Sequence, residues 1–333
     1  MLINLAFIKA TNGLFYFALD YIAALEDTIS SILVRTPEQA TILGNLSMNC
    51  AVRIVTPLEA AFTIRAASRR GEMTFTPSSH PIPWCSRQMV VVHDTFPFKG
   101  RKGKVKATMF LLALRTCRAH AGYINRCDAR AFLLRSGVPQ ARIRSTPNHM
   151  TLPDKRKTGD TFKVSDRVSV GLFGTDSPKK NYLMLFTALA ASPAAKRLRL
   201  ILYGQPNAYA DDLIARFPAL EISVCNSREC DLNSFVDAVD LLASAATQEG
   251  FSRPIAAALA AGVPCWIVDA PVFREFYGEA AVFHDNIEKL AGALLSLTPG
   301  TSIERPDYSL PSALEEDFRE SVAWLREQDV KSS

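Results

Sequence analysis

The loop Glu249-Gly250-Phe251-Ser252 runs into Pro254 and the small apolar stretch Ile255 to Ala261, which closes at Gly262-Val263-Pro264. A proline in the first turn and a glycine at a left-handed end predict a buried helix with the loop at its N-terminus. Unpaired backbone N–H groups and the positive end of the helix dipole suit a phosphate there, and Glu249 can accept hydrogen bonds from hydroxyls. The combination fits a sugar nucleotide; the competing reading of the same residues is a surface cap. A second candidate is His93-Asp94, which follows the apolar run Val90–Val92. Ligands of open α/β sheets collect at the carboxyl ends of strands, so the pair is placed for chemistry, unless Asp94 only fixes the ring of a structural histidine. The third stretch is cationic: Lys99, Arg101, Lys102, Lys104 and Lys106 fall within eight residues, ahead of the apolar ATMFLLAL. Such a run beside an amphipathic helix suits an anionic membrane surface. A solvated loop is the plain alternative, and no recognised nucleic-acid-binding motif accompanies the run, so nucleic acid is not an expected partner.

These residues need a scaffold that puts loops at strand ends. Residues 2–8 form an apolar strand candidate, followed by Thr11-Asn12-Gly13 and a helical pattern through Leu25. Strand, glycine turn and helix open a nucleotide-type α/β domain, with Gly13 in a tight turn or near a phosphate. Apolar segments recur at Ser31–Val34, Ala51–Val55, Met73–Thr76 and Gln88–Val92, with helical stretches between several of them. The second half restarts the rhythm with VSVGLFG, RLRLILYG, EISVC, DLLASA and PCWIV. Alternation of this kind predicts an α/β fold with mostly parallel sheets and helices on both faces. Near the C-terminus Leu314, Phe318, Val322 and Leu325 share one helical face.

A chain of 333 residues exceeds the usual size of a single core, and two domains are expected. The net charge of +5 hides an asymmetry: residues 1–150 hold 19 Lys and Arg against 8 Asp and Glu, leaving 19 against 25 for the rest. The basic half implies a polyanionic partner, either nucleic acid, an anionic membrane or a pyrophosphate-bearing substrate. Seven scattered cysteines form no CxxC pair and read as buried free thiols in a reducing cytoplasm. Lys9 follows the apolar N-terminal segment instead of preceding it, which argues against a secretory signal. No apolar run reaches the roughly 18–20 residues of a membrane span. The expected location is cytoplasmic, or peripheral on the inner membrane face.

The Glu249 loop resembles the C-terminal signature of retaining glycosyltransferases of the GT-B fold, glycosyltransferase family 4 (glycosyl transferases group 1), in which Glu-Gly-Phe-Gly precedes a Pro, a Glu-Ala and a Gly-x-Pro. The family's second Glu, eight positions on, is Ala257 here. The loop Gly174-Thr175-Asp176-Ser177-Pro178-Lys179-Lys180-Asn181 is similar to the family's Gly-Arg, short loop and Lys, with Thr175 in place of the Arg. Gly137-Val138-Pro139 and Pro147-Asn148 resemble the end of the family's N-terminal domain, and Gly204 the glycine that ends its next strand. The resemblance implies two Rossmann-like domains facing across a cleft: an acceptor-side domain over 1–152, a linker over 153–166, a nucleotide-sugar domain over 167–310, and a helix over 311–333 crossing back to the first domain. It implies that Lys180 holds the donor diphosphate, joined by Gly13, Gly250, Phe251 and Ser252; that Glu249 orients the donor sugar; and that His93, with Asp94, faces the acceptor side. Segment Ser223–Leu232 falls where the family seats the base, and its residues match weakly.

The implied function is transfer of a sugar from a nucleotide sugar to a glycan or a polyprenyl-diphosphate-linked acceptor, with retention of configuration. No Asp-x-Asp pair appears, so no metal or other cofactor is expected; Lys180, N–H groups and helix dipoles would balance the diphosphate. Two alternatives stand beside it, a nucleotide-sugar-binding pseudoenzyme and a nucleotide-sugar epimerase.

Overall fold

The computed structural model describes residues 1–46, 49–117, 119–155, 159–175 and 178–330. Asp176 and Ser177 of the lysine loop, and Arg156, Lys157 and Thr158 of the expected linker, lie outside the described residues. The chain forms two compact units, residues 1–150 with 311–333, and residues 151–310.

The first unit runs β1 (Leu2–Asn4), α1 (Gly13–Leu25), β2 (Ser31–Val34), α2 (Pro37–Gly44), β3 (Ala51–Ile54), α3 (Pro57–Arg69), β4 (Thr74–Thr76), β5 (Gln88–Val92), α4 (Gly100–Cys117), β6 (His120–Tyr123), α5 (Ala131–Arg135) and β7 (Ile143–Ser145). Among the described residues these strands make one parallel seven-stranded sheet in the order β3-β2-β1-β4-β5-β6-β7. The central strands β1, β4 and β5 are buried throughout, their polar Asn4, Thr74, Thr76 and Gln88 included, as expected when helices cover both faces. Helices α2 and α3 start at capping boxes, Thr36 with Gln39 and Thr56 with Glu59, each followed by a proline.

The second unit runs β8 (Thr161–Lys163), β9 (Val168–Phe173), α6 (Tyr182–Ala190), β10 (Leu198–Gly204), α7 (Ala208–Arg216), β11 (Glu221–Asn226), α8 (Leu232–Asp237), β12 (Leu241–Ser244), α9 (Arg253–Ala260), β13 (Cys265–Val268), α10 (Pro271–Tyr277), β14 (Val282–His284), α11 (Ile287–Ser296) and β15 (Ser302–Glu304). Its parallel sheet has the order β11-β10-β9-β12-β13-β14, and β8 pairs antiparallel with β15. Strands on both sides of β9 fill one core with Val170, Leu172, Leu200, Leu202, Leu241 and Ala243.

Helix α12 (Ser312–Val330) completes the first unit. Phe318 stacks on His149 at 4.2 Å and meets Tyr21 edge-on at 4.8 Å, Trp324 meets His120, and Asp317 accepts from Ser145 at 2.7 Å. Its buried face contains Phe318, Val322 and Leu325, with Leu314 half-buried.

Four expectations need correction. The stretch 153–166 is not all linker, because Phe162 packs on the second core, Val164 is buried, and β8 is hydrogen-bonded to β15. The strand expected over 2–8 ends at Asn4. Lys99 precedes α4, and Arg101, Lys102, Lys104 and Lys106 lie on that helix instead of in a loop before it. All seven cysteines are free thiols, but only Cys85, Cys117 and Cys265 are buried; Cys127 is exposed and Cys50, Cys225 and Cys230 are half-buried.

Candidate functional site

In the second sheet the chain winds outward from β9 to β11, returns, and winds the other way from β12 to β14, so the order reverses between β9 and β12. Such a switch point leaves a crevice at the carboxyl ends of two neighbouring strands, the usual ligand position in open α/β sheets. The two loops singled out in the sequence both start there. Gly174, with φ of +88°, turns the chain after β9, and the loop it begins is held by Thr175, whose Oγ1 donates to the Gln205 carbonyl at 2.5 Å while Asn207 donates to both Thr175 oxygens. A Cβ on Gly204 would meet Thr175 Oγ1 at 2.6 Å, so the glycine permits this approach. At the position where the resemblance expects an arginine there is thus a buried brace and no cation.

Lys179 and Lys180 end a short 3₁₀ turn, and both reach Glu249 in the loop after β12: Lys180 Nζ lies 2.6 Å from Oε1 and Lys179 Nζ 3.3 Å from Oε2. Burial alone would push the Glu249 carboxyl up; the charges and hydrogen bonds of Lys180 and then Lys179 outweigh it and hold the carboxyl below its usual range. Asn181, in a left-handed conformation with φ of +56°, donates to the Ala245 carbonyl at 2.9 Å and closes the same bridge between the loops. Two cations and one carboxylate leave one positive charge in excess beside the N-terminus of α9. That is the electrostatics of an anion site.

The remainder of the Glu249 loop divides its labour. Gly250 carries no side chain, and Phe251 turns its ring into the core against Phe276 at 4.7 Å, which replaces the expected donor-facing role of this ring with an anchoring one. Tyr277, its hydroxyl kept protonated by burial, donates to the carbonyls of Phe251 and Ser252 and fixes the loop from below. Ser252 adopts φ of +69°, the conformation that a glycine would take without strain, and its side chain does not cap α9. In the first turn Pro254 has no N–H, and the Ile255 and Ala256 N–H groups donate to the Ser252 carbonyl at 2.9 and 3.4 Å. Ala257 is 1% exposed and packed on all sides, so the position of the family's second Glu is filled by core. The weakly matching base segment forms β11 and the turn after it.

In the first sheet the winding reverses between β1 and β4. There Asn4 donates to Thr76 Oγ1 at 3.2 Å, and its own Oδ1 accepts from Ala6 N–H. His93 follows β5; its Nε2 lies 3.0 Å from the Pro77 carbonyl oxygen, and its ring meets Phe17 of α1 edge-on at 4.6 Å. A carbonyl cannot donate, so Nε2 carries the proton and a neutral ring would present Nδ1 as the acceptor. Asp94 Oδ1 accepts from Phe96 N–H at 2.9 Å and shapes the turn that follows. Gly13 opens α1 behind the Asn12 cap, in ordinary helical backbone with open space at its Cβ position; it makes no tight turn. His93 and the first turn of α1 are brought together through Phe17. Among the described residues no group of three His, Cys, Asp or Glu side chains could hold a metal, and no helix is long and apolar enough to cross a membrane.

Sequence reading singled out Lys180 and left Lys179 and Asn181 without a role. The adjacency of the two lysines was the one available signal.

Residues 167–298 match the family model described as Glycosyl transferases group 1. Among curated proteins no match was found. Of solved structures, that of Anabaena HepE in complex with UDP and glucose is similar over 100% of this chain and 94% of its own, with a TM-score of 0.69 at 15% identity. A glycosyltransferase from Rickettsia africae has a TM-score of 0.62 at 13% identity, covering 98% of this chain and 93% of its own. WaaG, a glycosyltransferase involved in lipopolysaccharide biosynthesis, has a TM-score of 0.58 at 12% identity, covering 97% of this chain and 95% of its own. The architecture, two Rossmann-like units, is that of GT-B glycosyltransferases.

Proposed function

We propose that this chain, in which residues 167–298 match the glycosyl transferases group 1 model, moves a sugar from a nucleotide sugar to a glycan or polyprenyl-diphosphate-linked acceptor, with retention of configuration. The observation that carries the reading is the Lys179–Glu249–Lys180 cluster at the β9/β12 switch point, beside the uncapped start of α9. A diphosphate entering there competes with Glu249 for the two ammonium groups. The displaced carboxylate is then free to accept hydrogen bonds from the sugar hydroxyls. As the bond from sugar to diphosphate breaks, charge grows on the leaving oxygen, and the two lysines and the positive end of the α9 dipole stabilise that charge without a divalent ion. We assign His93 to the acceptor step. The work fits bacterial-type polysaccharide or glycolipid assembly, on the cytoplasmic side.

A second reading, a binding subunit without turnover, is favoured by Thr175 and Ala257, which fill two family positions with a brace and core packing. The test is to incubate the purified chain with UDP-glucose, the donor that HepE binds in its crystal structure, and with GDP- and dTDP-sugars, with and without chelator. Release of nucleoside diphosphate in chelator supports the proposal. Stabilisation by a donor without release supports the binding subunit, and conversion of the donor without acceptor points to an epimerase. Activity that vanishes in chelator and returns with magnesium overturns metal independence.

A further inference from the structure

Helices α3 and α4 cover the same face of the first sheet. Leu2, which packs with Ala60, Ile64 and Ala67 of α3, is in register with Thr74, and Thr74 with Gln88. Val90 and Val92, two and four residues further along β5, point the same way as Gln88. They pack with Phe110, Leu114 and Cys117 of α4. Each helix has thereby used one side on the core, and the opposite side of a surface helix is ordinarily polar. Here it is not. Leu58 and Phe62 of α3 and Val105, Met109 and Leu112 of α4 are exposed, and their spacing of three and four residues aligns them as stripes.

Between α3 and α4 in the chain lies Trp84, 76% exposed and held at φ of +63°, where bulky residues are genuine outliers. Its N–H meets the Sγ of Cys117, the last residue of α4, at 2.8 Å, and the Arg65 guanidinium sits 4.7 Å over its ring. Neither the backbone nor exposure to water favours an indole in this position, yet α3 and α4 both hold the residue there. Trp84, Arg65 and Arg69 line an open cavity of about 230 Å³. The surrounding charge is predominantly positive. Helix α4 carries Arg101, Lys102, Lys104, Lys106 and Arg115 and no acidic residue, and Glu59, the acid of α3, is used in the capping box at Thr56.

We propose that this α3–α4 face docks the chain onto an anionic lipid bilayer, with Phe62, Met109 and Trp84 at the boundary of headgroups and acyl chains and the Arg65–Arg69–Trp84 cavity receiving a lipid phosphate. Aliphatic stripes have no use on nucleic acid, and a second copy of the chain would set like charges against one another. A bilayer satisfies all three features at once: apolar area, an interfacial tryptophan and negative charge. The inference does not depend on the reading of the Glu249 loop.

The experiment is co-sedimentation of the full chain with phosphatidylcholine vesicles, and with vesicles of which roughly a third of the lipid is phosphatidylglycerol, at low salt. Binding is expected only to the anionic vesicles. Replacing Lys102, Lys104 and Lys106 together by Gln should weaken it by about 100-fold, at about fivefold per charge. Phe62→Ser, at unchanged charge, should weaken it by about tenfold. Tryptophan emission should shift to the blue on anionic vesicles, and this shift should vanish in Trp84→Phe. The positions are exposed, and two independent variants guard against one that misfolds. No binding to anionic vesicles, binding that survives in both the charge and Phe62 variants, or an emission shift that persists without Trp84 overturns the proposal. A dimer that Phe62→Ser dissociates would also overturn it, by assigning the face to a second copy.

Discussion

At the switch point of the second sheet, three charged side chains are turned on one another, Lys179 and Lys180 on Glu249; at that of the first, Asn4 is bonded to Thr76, and the nearby His93 and Asp94 bond to the backbone. The architecture is the same and the polar groups are spent differently. Charges paired with one another can be exchanged for a charged ligand, because whatever breaks the pair also supplies a new partner. Groups bonded to backbone carbonyls and N–H groups shape loops, and moving them costs the shape. The second unit thus carries charges that can be exchanged, and the first a fixed surface.

The largest expected effect tests how tightly the second site is backed. Ala257→Glu puts a carboxylate into a fully packed helix and should destabilise the protein by about 3 kcal/mol or more, read as a fall in unfolding midpoint; a variant that keeps its stability and binds nucleotide more tightly would show that α9 has room after all. Next comes the exchange itself. Lys180→Ala and Glu249→Ala should each lower turnover efficiency by about one to two orders of magnitude, since a hydrogen bond to a charged partner is worth roughly 1.5–3 kcal/mol. Calorimetric titration separates them: Lys180→Ala should weaken nucleoside diphosphate binding, while Glu249→Ala should not, because it removes the phosphate's competitor. Equal loss of binding in both would mean that Glu249 does not release the lysines.

The acid limb of stability provides a smaller effect. The Glu249 carboxyl is held below its ordinary value of 4.5, so its native form binds a proton less readily than the unfolded chain does. Its contribution is fully present above that ordinary value and is lost as pH falls through the lower native one. In Glu249→Gln this part of the slope below pH 4.5 should flatten; an unchanged acid-unfolding profile would argue that the clamp is not formed in solution. The smallest effects belong to the first unit. Asp94→Ala should cost about 1 kcal/mol by releasing the turn at Phe96, and Asp94→Asn, which keeps the acceptor, should cost less. His93→Ala should lower turnover while leaving nucleoside diphosphate affinity unchanged. Loss of that affinity in His93→Ala would erase the contrast between the units.

Much of this was legible from periodicity alone. Ser31–Val34 and Gln88–Val92 each carry one polar residue ahead of an unbroken apolar run and are strands with those bounds, because a strand covered on both faces has no alternating polar side to blur it. The three-residue strands β8, β14 and β15 were not legible, being too short for a pattern, and β8 and β15 are defined by each other from far along the chain. The start of α4 was obscured by Gly100 and Gly103 among the lysines. Gly103 marks a close approach, since a Cβ there would meet the Phe98 carbonyl carbon at 2.4 Å. Of the candidate site, Glu249 and Lys180 could be found from their loops. Their pairing across 69 residues, the anchoring of Phe251 and the bond from Asn181 to Ala245 are products of tertiary folding and leave no local trace.

Helix α12 has a consequence for how the protein is made. On the ribosome, residues 1–150 emerge well before the segment that covers Tyr21 and His120, and the whole second unit is synthesised in the interval. The second unit is continuous in sequence and can fold as it appears, whereas the first must wait, with its apolar seat for Phe318 open to chaperones or to misassociation, until translation is nearly finished. A chain that ended at residue 310 would carry a complete second unit attached to an unfinished first one.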